Sequence, residues 1–188
     1  MKKIETERLI LRKWCKYDYL DMYDYASDDR VGPNAGWPVH RTIEDSKKIV
    51  DMFIDGDEEY AVVLKSENKV IGGIGLHYKK IDENMKGGNA REIGYVLNPR
   101  YWGNEYIPEA VRELIKFGFE ELELDLIWCG HFDFNNKSRR VVEKCGFNFK
   151  FEKERELPLL NNKKVNELYY NISKSEYFNK EFYIKNNP

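Results

Sequence analysis

The chain has 188 residues, 41% of them hydrophobic and 14% aromatic, which suffices for the packed core of about one ordinary domain. Charged residues make up 34%, but their signs nearly cancel at a formal net charge of −2, which argues against a broad basic face for nucleic acid. No run reaches the ~20 apolar residues of a membrane span, and the scattered cysteines and histidines favour neither a disulfide framework nor a metal site.

The first part of the chain predicts a strand, a helix and a loop. Residues 7–14 alternate and are rich in β-forming side chains, which indicates a strand. Asp18 is a candidate N-cap for a helix with Leu20 and Met22 on its apolar side. Residues 31–40 contain two glycines, two prolines and one asparagine, so we expect a loop there.

A second helix and three strands follow. Thr42 is the candidate cap of the helix, whose apolar stripe includes Met52 and Phe53. The strands are predicted at residues 60–65, 69–78 and 91–98. The first two strands form a hairpin, and the polar residues 79–90 form a loop before the third strand. Pro99 ends that strand because proline cannot donate a ladder hydrogen bond.

The remaining chain predicts two helices and three strands. A helical period begins at Ile107, residues 124–132 form a buried strand, and Asn135 or Asn136 caps the second helix. Gly146 suits the C′ position of that helix, and Phe147 and Val142 then form the contact of a Schellman stop. Two strands close the domain, and a polar, aromatic C-terminal segment follows as a tail or short helix.

Five segments carry a family resemblance. They are TERLILRKW at the start, GWP at 36–38, KVIGGIGL at 69–76, REIGYVLNPRYWGNEYIPEAV at 91–111 and NNKSRRVVEKCGF at 135–147. Together, in this order and with the expected element under each, they resemble the GNAT acetyltransferase superfamily. Within it they are similar to the branch of ribosomal-protein N-terminal acetyltransferases, and the resemblance spans roughly residues 4–178.

The resemblance implies a single α/β (α+β) domain of GNAT type over residues 1–178, with a tail at 179–188. Its central sheet is expected to be mixed and mostly antiparallel, splayed at the strand 91–98, with helices on both faces. The implied co-substrate is acetyl-CoA. Its peptide-like pantetheine arm would pair with backbone groups of Tyr95, Val96 and Leu97, as an added strand does. The residues alone also allow an ordinary core strand at this place.

The diphosphate of acetyl-CoA is expected on the loop 102–107, where a helix start offers backbone N–H groups and a favourable dipole. The loop consists of Trp102, Gly103, Asn104, Glu105, Tyr106 and Ile107. Two of these depart from the family pattern, since Glu105 takes the place of the central glycine and Ile107 that of a small residue. A carboxylate ~5 Å from a phosphate costs ~3 kcal/mol at an effective dielectric constant of about 20.

Glu105 has two interpretations. Its long side chain can turn to water, where screening weakens the repulsion, and its N–H group stays available to an anion. Alternatively, Glu105 satisfies its own helix start, because acidic residues are favoured there. In that case the chain is a degenerate GNAT-fold module with weak or no CoA binding, acting as a ligand-binding or interaction domain.

Two residues are candidates for catalysis. Attack of an amine on a thioester needs a base and a proton donor for the leaving thiolate. Glu92 on the splayed strand is the candidate base, with an exposed charge at a strand edge as the alternative. The tyrosine that donates in many relatives corresponds to Val142, so the resemblance points instead to Ser138, with Asn135 near the cofactor arm. Both can equally be helix-start residues.

Three further residues are candidates for the acceptor site. Trp37 either lines the acceptor pocket or anchors its own loop, and His77 and Tyr78 end a strand that can face the acceptor. A basic cluster formed by Lys137, Arg139 and Arg140 is either a solvated face or a partner of the CoA phosphates that offsets Glu105.

The sequence therefore predicts an acetyl-CoA-dependent N-acetyltransferase that acts on a primary amine, either a protein N-terminus or a small molecule. Transfer is expected to be direct, because Cys129 and Cys145 have the pattern of small apolar core residues. The opening segment is too short and too charged for a signal peptide, so we expect a cytoplasmic protein. We expect no metal, nucleic acid or membrane partner, and a monomer or homodimer.

Overall fold

The computed structural model of the protein describes residues 1–79, 81 and 88–179, so most of the predicted loop 79–90 and of the tail 179–188 lies outside the described residues. Its elements are β1 Ile4–Glu5, β2 Leu9–Lys13, α1 Tyr19–Ala26, α2 Gly32–Ala35, α3 Ile43–Gly56, β3 Glu59–Leu64, β4 Lys69–His77, β5 Ala90–Leu97, α4 Tyr106–Glu120, β6 Leu126–Phe132, α5 Asn136–Lys144, β7 Asn148–Leu157, β8 Lys163–Ser173 and α6 Lys174–Phe178. The predicted order is confirmed, with β1, α2 and α6 as short additions.

The strands form one mixed sheet in the order β1-β2-β3-β4-β5-β6-β8-β7. The pairs β1–β2, β2–β3, β3–β4 and β6–β8 are antiparallel, whereas β5 and β6 run parallel. The parallel pair has α4 as its crossover, which such a pair requires because a tight turn joins only antiparallel strands. The α/β fold with a mixed sheet is thus as the sequence predicted.

The chain consists of two compact units. The first unit contains Met1–Gly75, Tyr95–Ala110 and Glu156–Lys163. Its core is an apolar cluster that includes Trp14, Tyr25, Val50 and Val63, against which Trp37, Phe53 and Val96 pack. Alternate residues of β3 contribute to this cluster, together with one face each of α1 and α3.

The second unit contains Leu76–Gly94, Val111–Arg155 and the chain from Lys164 onward. Its largest fully buried side chains include Ile93, Leu114, Phe119 and Ile127. Helix α4 approaches the sheet closely at Gly118, where a Cβ atom would lie 2.8 Å from Cδ1 of Ile127. Helix α5 ends as the sequence predicted, since the N–H group of Phe147 donates to the carbonyl of Val142 in a Schellman stop.

Some local predictions for the first unit are wrong. Asp18 is the N-cap residue of α1, as predicted, but its side chain makes no cap hydrogen bond, because its carboxylate accepts from Arg12 and from the N–H group of Cys15. Leu20 and Met52, expected on apolar stripes, are each 55% exposed. The loop predicted at 31–40 contains the short helix α2. The predicted Thr42 cap is confirmed, since its hydroxyl accepts from the N–H group of Asp45.

Candidate active site

Strand β5 leaves its parallel partner before it ends. The register with β6 runs from Ala90 opposite Leu126 to Ile93 opposite Cys129, although β5 continues to Leu97. An early end of this kind is the geometry expected of a splayed strand. The strand that the family resemblance implied to be splayed is thus β5, and Gly94 directly follows its last paired residue, Ile93.

Tyr95, Val96 and Leu97 continue β5 beyond the ladder and lie in the first unit. All three are half-buried, so they are not fully enclosed core residues. The carbonyl of Leu97 accepts a hydrogen bond of 3.0 Å from the indole of Trp102, so that group is already engaged inside the chain. On the side of β4, the carbonyl oxygen of Val96 would be only 2.2 Å from a Cβ atom at Gly72.

Two residues of the loop 102–107 have a positive φ before α4 begins at Tyr106. Gly103 has φ 82° and Glu105 has φ 62°, so the substituted position does have the positive φ that favours glycine. Residues 103–105 are exposed. The side-chain amide of Asn104 donates to the carbonyl of Tyr101 at 3.1 Å, which ties the loop to the preceding 3-10 turn. The loop is thus a defined turn whose residues 103–105 lie at the surface.

Ile107 does not obstruct this loop. Its side chain is buried, at 4% exposure, so it belongs to the core although it replaces the small residue of the family pattern. Glu105 lies at the surface, and its carbonyl accepts from the N–H group of Glu109 in the first turn of α4. Of the two departures from the family pattern, only Glu105 therefore lies in the exposed part of the loop.

Arg8 places a positive charge at the loop, which the sequence did not reveal. Its guanidinium donates to the carbonyl of Asn104 at 2.9 Å and to the carboxylate of Glu109 at 2.7 Å, and it lies 4.6 Å from the ring centre of Tyr106. Burial raises the pKa of Glu109, but hydrogen bonds from Thr6 and Arg8 outweigh it and hold that pKa below its ordinary value. In the sequence, Arg8 is only one residue of the predicted strand 7–14, and nothing there connects it with the loop 102–107.

Glu92 is buried on β5 in the second unit, so the alternative of an exposed charge is wrong. It is 8% exposed, and its carboxylate accepts a hydrogen bond of 2.6 Å from Nζ of Lys79. A second buried carboxylate, Glu167 on β8, flanks Gly130 together with Glu92. A Cβ atom at Gly130 would lie 2.8 Å from Oε1 of Glu167 and 3.4 Å from Oε1 of Glu92.

Lys79 and Glu167 belong to a polar group that sequence reasoning missed. The carboxylate of Glu167 accepts hydrogen bonds from Arg155 and from the hydroxyl of Tyr169. Burial, followed by the hydrogen bond to Glu167, raises the pKa of Tyr169. This polar group, which also includes Glu92, is drawn from three strands and one loop. No local sequence motif therefore identifies it.

The predicted acceptor residues have different environments. The ring of Trp37 packs against Gly32 and lies 5.1 Å from that of His40, which supports its interpretation as a loop anchor. The side chain of His77 lies over Gly94 of β5, where a Cβ atom would be 3.2 Å from its Nε2 atom. Tyr78 is 75% exposed, with the guanidinium of Arg91 5.3 Å from its ring centre.

Helix α5 uses Asn135 as its cap. The side-chain oxygen of Asn135 accepts from the N–H group of Ser138 at 3.1 Å, and Ser138 itself is half-buried. Val142 is fully buried, so the position of the family's tyrosine is filled by the core. The basic cluster is partly neutralised, because Arg139 forms an ion pair of 2.8 Å with Glu143.

Over residues 1–79, 81 and 88–179, no three or more His, Cys, Asp and Glu side chains are grouped so that they could hold a metal ion. Within the same residues, no helix has both the length and the apolar character needed to cross a membrane.

Similarity to known proteins assigns the family. The model of the acetyltransferase (GNAT) domain matches residues 8–148. The uncharacterized N-acetyltransferase YnaD of Bacillus subtilis is 34% identical over 144 residues, which cover 76% of this chain and 81% of that protein. The crystal structure of a GNAT acetyltransferase from Bacillus anthracis matches with a TM-score of 0.82 and 31% identity, over 93% of this chain and all of that one. Microcin C7 self-immunity acetyltransferase MccE, solved with acetyl-CoA and AMP, shares the fold at a TM-score of 0.72 and 17% identity, over 89% of this chain and 93% of its own. The chain therefore belongs to the GNAT acetyltransferase family.

Proposed function

We propose that this acetyltransferase uses acetyl-CoA and acts on a primary amine. The loop 102–107 carries the proposal, because two left-handed residues, Gly103 and Glu105, lead directly into the 15-residue helix α4. The first N–H groups of a helix have no carbonyl partner within it, and together with the helix dipole they attract a phosphate. The guanidinium of Arg8 lies beside this loop, 2.9 Å from the carbonyl of Asn104, and its ion pair with Glu109 offsets part of its positive charge.

In this proposal, β5 receives the pantetheine arm along Tyr95, Val96 and Leu97. The arm is peptide-like, so it can exchange hydrogen bonds with a strand whose ladder to β6 has stopped at Ile93. Because the carbonyl of Leu97 is bonded to Trp102, the arm would rely on the other backbone groups of this segment.

Glu92 is the proposed base, since it lies on the same strand three residues before Tyr95. It would take a proton from the acceptor's ammonium group, and the neutral amine would then attack the thioester carbonyl. Ser138, half-buried in the first turn of α5, is the proposed donor to the leaving thiolate. The acceptor is a protein N-terminus, as the ribosomal-protein branch suggests, or a small amine. A cytoplasmic monomer or homodimer is part of the same proposal.

Calorimetric titration and thermal unfolding with acetyl-CoA test the cofactor. We expect saturable binding and a higher unfolding temperature, because a ligand that binds only the folded state stabilises it by mass action. Desulfo-CoA serves as a control that keeps the diphosphate. Neither heat nor a shifted unfolding temperature at millimolar acetyl-CoA would rule the proposal out. If acetyl-CoA binds but Glu92→Gln and Ser138→Ala turn over at the normal rate, only these residue roles are wrong.

A further inference from the structure

The face of the sheet around Gly130 holds two buried carboxylates, each with its own cation. In the second unit, Glu92 is 8% and Glu167 is 6% exposed. Lys79 pairs with Glu92 at 2.6 Å, and Arg155 pairs with Glu167. Buried charges of this kind must be paired to be tolerated. The two pairs differ in one respect, because the glutamate of the second pair also accepts the hydroxyl of Tyr169.

Lys79 places a primary ammonium group where a cation is favoured on two sides. Its Nζ atom lies 2.6 Å from Oε2 of Glu92 and 5.9 Å from the ring centre of Tyr169. Two further aromatic rings pack in series with Tyr169. The ring centre of Phe151 lies 5.1 Å from that of Tyr169 and 5.9 Å from that of Trp128. A carboxylate together with an aromatic face is the environment in which an alkylammonium ion binds well.

The lysine is more exposed than the carboxylate with which it pairs. Lys79 lies beyond the end of β4 at His77, and its side chain retains 36% exposure, whereas that of Glu92 retains 11%. Its ammonium group can therefore leave toward solvent while the carboxylate stays buried. Gly130 has no side chain, so both carboxylates can lie close to its backbone.

We propose that the ammonium site formed by Glu92, Gly130 and Tyr169 binds the unbranched primary alkylammonium group of the acceptor, and that Lys79 occupies this site until the acceptor replaces it. The inference rests on the proposed function and specifies its acceptor. The exchange conserves charge, because one ammonium ion leaves as another arrives. The proposed base then already contacts the nitrogen that must react.

The reaction explains why the product would leave. The ammonium gives one proton to Glu92, and the nitrogen lone pair forms a bond to the thioester carbonyl carbon. The carbon–sulfur bond breaks, and the second proton lost by the nitrogen ends on the thiolate sulfur. Glu92 returns its proton to solvent. The amide product is neutral and cannot replace a cation beside a carboxylate, so Lys79 returns to the site.

Removal of the lysine tests the proposal by equilibrium binding without acetyl-CoA. The full chain is titrated calorimetrically with n-butylammonium chloride, and with butan-1-ol as the neutral control. Only molecules whose site is free can bind, so the apparent affinity equals the intrinsic affinity multiplied by the fraction with a free site. With about a tenth of the sites free in the wild type, Lys79→Met should bind butylammonium about tenfold more tightly. Lys79→Arg keeps a cation there and should bind as the wild type does. No gain in Lys79→Met, or an equal gain for butan-1-ol, would overturn the proposal.

A second pair of variants covers the case in which Lys79→Met does not fold. Tyr169→Phe keeps the ring and should retain butylammonium binding, whereas Tyr169→Leu should weaken it about fivefold through loss of the cation–π contact. Equal butylammonium affinities of Tyr169→Phe and Tyr169→Leu would contradict the proposed ammonium site. Acetyl-CoA binding is measured on the same samples. If acetyl-CoA binds and turns over while no ammonium effect is found, only this inference fails, and if acetyl-CoA does not bind, it is the proposed function that fails.

Discussion

Glu105 holds a left-handed backbone, φ 62°, in a loop where the family pattern has glycine. Replacing it by glycine removes both the strain, about 1 kcal/mol, and a negative charge near the proposed diphosphate. We expect Glu105→Gly to bind acetyl-CoA about three- to tenfold more tightly at low salt, because the exposed carboxylate repels phosphate through screened solvent. Its free energy of unfolding should change by less than about 1 kcal/mol, since glycine also stabilises the unfolded chain.

Glu105→Gln separates the two effects, because it removes the charge and keeps the backbone strain. If the charge matters, Gln and Gly variants gain similar affinity, and the gain shrinks between about 0.05 M and about 0.5 M salt. A salt-independent gain confined to glycine would assign the effect to the backbone. Weaker binding of both variants would mean that the glutamate side chain is useful to the loop.

Glu109 is the residue that fastens the loop and α4 to the N-terminal strand segment. Its carboxylate accepts from Thr6 and from the N–H and Nε groups of Arg8. We expect Glu109→Gln to lower the free energy of unfolding by about 1–3 kcal/mol near pH 7, as loss of a charge-assisted, part-buried network does. Urea unfolding measures this, and Glu113→Gln, one turn further along α4, is the matched control.

The pH dependence of this loss has a defined sign. The pKa of Glu109 is below its ordinary value of 4.5 in the folded protein, so its contribution is complete above about 4.5 and disappears as pH falls through the lower folded value. The difference in the free energy of unfolding between the wild type and Glu109→Gln should therefore be constant near neutral pH and become smaller in acid. A difference that grows below pH 4.5 would show that the network does not favour the ionised form.

At the scale of elements, β4 and β5 are held close by a glycine. A Cβ atom at Gly72 would lie 2.2 Å from the carbonyl oxygen of Val96, which is backbone and cannot rotate away. The next residue, Gly73, is a matched control, because its Cβ would meet the flexible carboxylate end of Glu59 at 3.1 Å. We expect Gly72→Ala to cost about 3 kcal/mol or more in the free energy of unfolding, and Gly73→Ala about 1 kcal/mol.

The same pair of variants reports on the proposed cofactor strand. A displaced Val96 would move the backbone that is proposed to receive the pantetheine arm, so Gly72→Ala should weaken acetyl-CoA binding more than Gly73→Ala does. Chemical denaturation gives the stabilities, and calorimetry of the folded fraction gives the affinities. Equal free energies of unfolding for Gly72→Ala and Gly73→Ala would show that β4 and β5 can move apart locally without loss of stability.

The elements show which local signals can be interpreted from sequence. The Thr42 cap and the Schellman stop at Gly146 were predictable, because each depends on residues within one turn of the chain. The missing side-chain cap at Asp18 was not, because Arg12 competes for its carboxylate. The splay of β5 was expected only through family resemblance. Nothing local in that strand shows where its ladder with β6 ends.

At the scale of the whole molecule, the candidate site depends on strand order. Glu92 and Glu167 flank Gly130 because β8 inserts beside β6 and not after β7. They are far apart in the sequence, and alternation along β8 shows only which side chains share a face. The loop 102–107 and the Glu92 strand could therefore be predicted, whereas Lys79, Arg155, Glu167 and Arg8 required the tertiary structure.

The exposure of the three cysteines provides a test of whether acetyl transfer is direct or passes through an acyl-cysteine intermediate. Cys129 and Cys145 are each 1% exposed, and only Cys15 of the three is exposed. A thiol acts as a nucleophile only if it is accessible and ionised. We therefore expect N-ethylmaleimide to add once to the native protein, as measured by intact mass, and not to the Cys15→Ser variant.

Turnover should survive this modification, and initial rates should give intersecting double-reciprocal lines, because both substrates must be bound together for direct attack. Parallel lines, combined with loss of turnover on alkylation of Cys15, would instead indicate an acyl-cysteine intermediate. Loss of turnover with lines that still intersect would mean that the adduct disturbs the fold near β2, which thermal unfolding of the modified protein would reveal. The kinetic pattern thus tests the chemistry of the molecule independently of any single proposed site residue.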